Sequence, residues 1–215
     1  MQKFRLIAGT LVFGSLWGLS ECLIGPALSD AGLPGGMIMT GTFTMFFLVL
    51  SRMIFQQRGM QVGMGLIAGG LRLFNPFGGC HLCSALAIMA EGMIFELIWN
   101  YVATKDFKNL KKLSMKVSVG IVTAYSVYVG GYIVTQILTP VFSTGFYVGN
   151  LLAFIPQILA RGLPVALIGG VTIPLTLSLQ SVKVPIKDSI YYPTTLGISC
   201  ICWILIIGTW LSVVG

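Results

Sequence analysis

The chain has 215 residues, of which 56% are apolar and only 9% charged, with a mean hydropathy of +0.93. A soluble domain carries about 25% charged residues, so this composition cannot cover a globule in water; it excludes a soluble enzyme and predicts lipid as solvent. The 13 Lys and Arg against six Asp and Glu would suggest nucleic acid in a soluble protein, but here most of the excess lies in joints between apolar runs, where it signals topology and no nucleic-acid partner.

A spanning helix needs about 20 mainly apolar residues. In chain order the sequence predicts spans over 6–28, 37–55, 60–74, 84–103, 117–138, 163–181 and 194–214. The first begins behind Lys3 and Arg5 and runs to about Leu28, longer than the apolar part of a signal peptide, so it reads as a retained span. The third is short and stops at Asn75-Pro76-Phe77-Gly78-Gly79, a helix-breaking run. Between the fifth and sixth, residues 139–165 read as irregular. Pro140, Pro156 and Pro164 punctuate an apolar stretch, and 146–160 is expected to form an interfacial or re-entrant helix. The expected fold is an all-α, polytopic transmembrane bundle of six to seven spans in one domain, residues 1–215.

Seven spans place Lys3, Arg5, Arg52, Arg58, the Lys105–Lys116 cluster, Lys183 and Lys187 on one face. Positive charge marks the cytoplasmic face, so the N-terminus is expected inside. An eighth span at 146–160 would carry Lys183 and Lys187 outside.

Four ionisable side chains fall within spans: Glu21, Arg72, Glu91 and Glu96. Each charge at a helix centre costs about 2.5–3.5 kcal/mol, so these groups must face the bundle interior or a wet cavity. With the N-terminus inside, Glu21 lies roughly 10 Å below the outer end of its helix at 1.5 Å per residue. Glu91 reaches a similar depth from the other direction. Arg72 ends the third span and His81 caps the outer turn. Glu21, Arg72, His81 and Glu91 are therefore the candidate substrate-binding residues, and Glu96 lies alone in the inner half.

Span one carries small residues at every fourth position: Thr10, Gly14, Gly18 and Cys22. Gly14 and Gly18 form a GxxxG pattern, which lets two helix backbones approach closely. The ridge serves either packing within the bundle or docking to a partner subunit. The run Cys80-His81-Leu82-Cys83 offers three soft or borderline ligands. Tetrahedral zinc usually takes four ligands from two separated pairs, and the second pair is missing here. Metal or tetrapyrrole contact, a disulfide in an oxidising exterior and uncommitted thiols all remain open for it. Motifs of serine hydrolases, zinc proteases and P-loop ATPases are absent, which argues against an enzyme.

Two stretches, Gly14-Ser-Leu-Trp-Gly-Leu-Ser-Glu21 with Leu33-Pro-Gly-Gly36, and Ala85-Leu-Ala-Ile-Met-Ala-Glu-Gly92 with Glu96, resemble the substrate-capture (S) components of energy-coupling-factor transporters. The resemblance covers about the first half of the chain. It implies a small helical bundle, usually of six spans, that binds a vitamin, metal or tetrapyrrole near its outer face. A small-residue ridge, here Thr10, Gly14, Gly18 and Cys22, would dock to a transmembrane coupling subunit served by separate ATPases. The seven-span count and the 139–165 segment depart from that pattern, and the N-terminal His motif of cobalt and nickel members is absent. The expected function is thus a micronutrient-binding component in the plasma membrane. The alternatives are a structural or assembly protein held together by buried polar groups, and a thiol redox protein or enzyme using Cys80 and Cys83.

Overall fold

The computed structural model describes residues 2–75, 81–101, 112–142, 148–179 and 188–214. Among them the chain forms seven helices: α1 (Gln2–Asp30), α2 (Gly35–Phe55), α3 (Met60–Leu73), α4 (His81–Tyr101), α5 (Leu113–Phe142), α6 (Val148–Ser178) and α7 (Asp188–Val214). All but α3 are long and apolar enough to cross a membrane. The expected all-α polytopic bundle is the observed architecture. The 14 residues of α3 reach about 21 Å at 1.5 Å per residue, short of a bilayer core of about 30 Å.

Contacts between helices fix their directions. Thr10, Gly14 and Gly18 of α1 meet Gly63, Ile67 and Ala68 of α3 in the same order, so these two helices run parallel. Gly65 and Gly92 face each other across an antiparallel α3–α4 crossing, where a Cβ on Gly92 would lie 2.5 Å from the Gln61 carbonyl oxygen. Trp99 of α4 donates to Thr123 of α5 while Glu91 packs beside Gly131, again antiparallel. The same holds for α5 and α6, through Gly120 against Gly169 and Val129 against Gly162. Between these helices lies a core that includes Trp17, Met45, Leu48, Met64, Phe95, Trp99, Val165 and Ile173, each 1% exposed or less. Phe95 and Trp99 stack within it at 5.1 Å. α7 is peripheral. It meets the rest through Ile206 beside Cys22 and Leu71 and leaves Ile201, Ile204 and Leu211 exposed.

The small-residue ridge of α1 lies inside the bundle. A Cβ on Gly14 would stand 2.9 Å from Ile67 Cβ, and one on Gly18 would stand 2.9 Å from Ala68 Cα. Cys22 is fully buried, with its thiol over the Leu71 carbonyl at 3.8 Å. The expectation that Thr10, Gly14, Gly18 and Cys22 form a partner-docking face is corrected on this geometry. The close backbone approach that glycine permits is used by α3, within the same chain.

The 139–165 segment also differs from expectation. α5 continues to Phe142, and α6 runs from Val148 to Ser178 through Pro156, Pro164 and Pro174. Residues 143–147 of this segment, which include the first two of the expected re-entrant helix, lie outside the described residues; the rest of that helix is the first part of α6. Proline removes one backbone hydrogen bond, but membrane helices tolerate the loss where neighbouring helices support them. α6 has that support, with Ile158, Val165 and Ile173 buried in the core.

Turns are closed by local chemistry. α1 ends in a Schellman arrangement: Leu33 N–H donates to the Leu28 carbonyl, Gly32 N–H to Ser29, and Gly32 takes φ +73°, a left-handed conformation that glycine adopts at little cost. At the other end of the bundle the α2–α3 turn is held by side chains. The Glu96 carboxylate of α4 accepts from Gly59 N–H, and from Val62 N–H at 3.2 Å, covering the donors that open α3. Arg52 donates to the Gln57 carbonyl at 3.0 Å and to Asn100 at 2.6 Å, and Asn100 donates back to Glu96.

Candidate functional site

Leu33-Pro34 turns the chain back beside α1, and α2 then contains one π-helical turn, Thr40–Thr44. Such turns widen a helix locally and are frequent at functional sites. Here the turn presents two hydroxyls to two acids on different helices. Thr40 Oγ1 donates to Glu91 Oε1 of α4 at 2.7 Å, and Thr44 Oγ1 donates to Glu21 Oε1 of α1 at 3.2 Å. Trp17, fully buried, donates its indole N–H to Thr44 at 3.0 Å and to Glu21 at 3.3 Å. The two carboxyls are thereby positioned by the same turn of α2.

Beside them a cavity of about 510 Å³ opens at the end of the bundle where α1 finishes. Its wall takes Glu21 and Asp30 from α1, Thr40 from α2, Arg72 from α3, Glu91 from α4 and Tyr132 from α5. Glu91 is 3% exposed, so what surface it keeps faces this space. Arg72 closes the last turn of α3, where its charge complements the helix dipole, and donates from Nη1 to the Glu21 carbonyl at 3.3 Å. Tyr132 packs on Tyr128 with ring centroids 4.5 Å apart, and its hydroxyl lies where a side chain on Gly36 would stand. A Cβ at Gly36 would stand 2.5 Å from that hydroxyl, closer than the two can be. Any larger residue would require the Tyr132 hydroxyl to move.

Of the four residues expected to bind substrate, Glu21, Arg72 and Glu91 meet at this cavity. His81 does not line it. It opens α4, half-buried, and among the described residues its Nδ1 has no hydrogen-bond partner. Thr40, Tyr132 and Asp30 were missed. A threonine or tyrosine inside an apolar run carries no signal at the level of spacing, and Asp30 lies in a joint beyond the end of the expected first span.

The expected Cys80-His81-Cys83 metal set is corrected. Cys83 is disulfide-bonded, so it has no thiolate to offer a metal, and Cys80 lies outside the described residues. Among the described residues no group of three His, Cys, Asp or Glu is arranged to hold an ion. Comparison with known protein families, curated proteins and solved structures finds no match.

Proposed function

We propose that this chain is a membrane-embedded substrate-capture component of a micronutrient importer, with its N-terminus in the cytoplasm and its cavity open to the outside. The observation that carries the reading is the cavity itself. Its volume of about 510 Å³ lies within the roughly 300–1,000 Å³ of small-molecule sites, and a buried carboxyl lines it. Two further features support the orientation. Arg5, Arg52, Arg58, Lys112 and Lys116 belong to the opposite end of the bundle, where positive charge favours the cytoplasm. The disulfide-bonded Cys83 lies in the first turn of α4, near Ser84 in the cavity wall, and disulfides persist in oxidising surroundings.

A capture protein binds without turnover, and energy for transport would come from a transmembrane coupling subunit and ATPases. With the α1 ridge occupied by α3, such a subunit would meet another face. The lipid bilayer is the remaining partner of this reading. The test is native mass spectrometry of protein purified from membranes. A stoichiometric small molecule is expected on the wild type and absent from Ala87→Phe, which fills the cavity. A wild-type protein that carries no small molecule and gains no thermal stability from a vitamin and metal panel would overturn the reading.

A further inference from the structure

The charge of the cavity wall is unbalanced. Among the described lining residues, Glu21, Asp30 and Glu91 set three carboxyl groups against the guanidinium of Arg72, a formal excess of two negative charges. Arg72 spends Nη1 on the Glu21 carbonyl. Glu91, 3% exposed, accepts from Thr40 through Oε1, while Oε2 accepts no hydrogen bond from any described residue. A buried carboxyl oxygen left open toward a cavity offers an acceptor to a cationic or hydrogen-bond-donating group that enters beside it.

We propose that the cavity selects an organic cation, a compound whose ammonium or other positively charged nitrogen group is held beside Glu91 and Glu21. The inference rests on reading the cavity as a substrate site. Size separates this class from inorganic cations, because about 510 Å³ far exceeds a single ion. Moreover, no described cluster has a metal-ligand arrangement. Composition separates it from anions, because the described lining sets three carboxyl groups against one guanidinium. Tyr132 adds an aromatic ring to the same wall, and ring faces attract ammonium groups, most strongly where water is excluded. Asp30, exposed in the lining, draws cations toward the cavity through a field that salt screens.

The test uses the full chain in lipid nanodiscs with three probes of similar size: benzyltrimethylammonium, benzyl alcohol and benzoate. Affinities are read by calorimetry and by shift of the unfolding temperature. The ammonium is expected to bind at least about tenfold more tightly than either other probe. Glu91→Gln should remove most of that preference. Asp30→Asn, at an exposed position that does not threaten folding, should weaken the ammonium about threefold at low salt and less at high salt. Benzoate or benzyl alcohol binding as tightly as the ammonium would overturn the charge assignment and leave the cavity as a substrate site. Failure of all three probes, or ammonium binding unchanged by Ala87→Phe, would overturn the cavity reading together with it.

Discussion

Glu96 and Glu91 stand on the same helix, five residues apart, and are both nearly buried, at 7% and 3% exposure. At one end Glu96 accepts from two backbone N–H groups of the α2–α3 turn and from Asn100, and Asn100 in turn accepts from Arg52. Its acceptors are used and a guanidinium belongs to the same network. At the other end Glu91 has one hydroxyl donor and an open cavity. Acid at the Arg52 end closes a turn, whereas acid at the cavity end is held in place and left available. Burial alone therefore does not separate these two acids; the completeness of their partnering does.

The largest effect is expected where partnering is complete. Glu96→Ala orphans the N–H groups at the start of α3 and leaves Arg52, 9% exposed, without its countercharge. Removing one member of such a buried set costs about 3–5 kcal/mol. Thermal unfolding in detergent should show that loss, and a variant as stable as wild type would remove the structural role assigned to this end. Gly18→Leu comes next. It adds a side chain where Ala68 Cα would be 2.9 Å from the new Cβ, and overpacking of this kind costs about 1–3 kcal/mol. The loss should appear in the isolated protein. Unchanged stability there would restore the ridge as a free docking face. Smallest is Thr40→Val, which deletes one hydrogen bond to Glu91 for about 1 kcal/mol. Its sharper consequence should be weaker ligand retention, because Glu91 is then no longer held toward the cavity. Equal retention would show that the π turn plays no part in positioning the acid.

Sequence patterning revealed the cavity end in part. Span length and the cost of buried charge bring Glu21, Glu91 and Arg72 to one depth, and the structure places all three around one space. Spacing leaves undecided which way a ridge of small residues faces. The periodicity of Thr10, Gly14, Gly18 and Cys22 is the same whether α3 or a partner covers it. Prolines misled for a related reason. Pro156 and Pro164 weaken a helix locally, but the packing that lets α6 pass through them comes from α5 and α2, which local spacing does not reveal. Thr40 and Thr44 left no trace because a hydroxyl in an apolar run is ordinary. Only the π turn, a backbone feature, makes those two hydroxyls converge on acids from different helices.

The contrast between the two acids is tested most directly by Glu91→Gln and Glu96→Gln measured side by side. Unfolding temperature and retained small molecule are read on the same preparations. Glu91→Gln should unfold within about 1 kcal/mol of wild type, because glutamine keeps an acceptor for the Thr40 hydroxyl, and it should lose its ligand. Glu96→Gln should lose stability while whatever remains folded keeps the ligand. If Glu91→Gln instead unfolds as readily as Glu96→Gln and the folded fraction still carries the ligand at the wild-type level, the acid of the cavity wall is structural and the account fails.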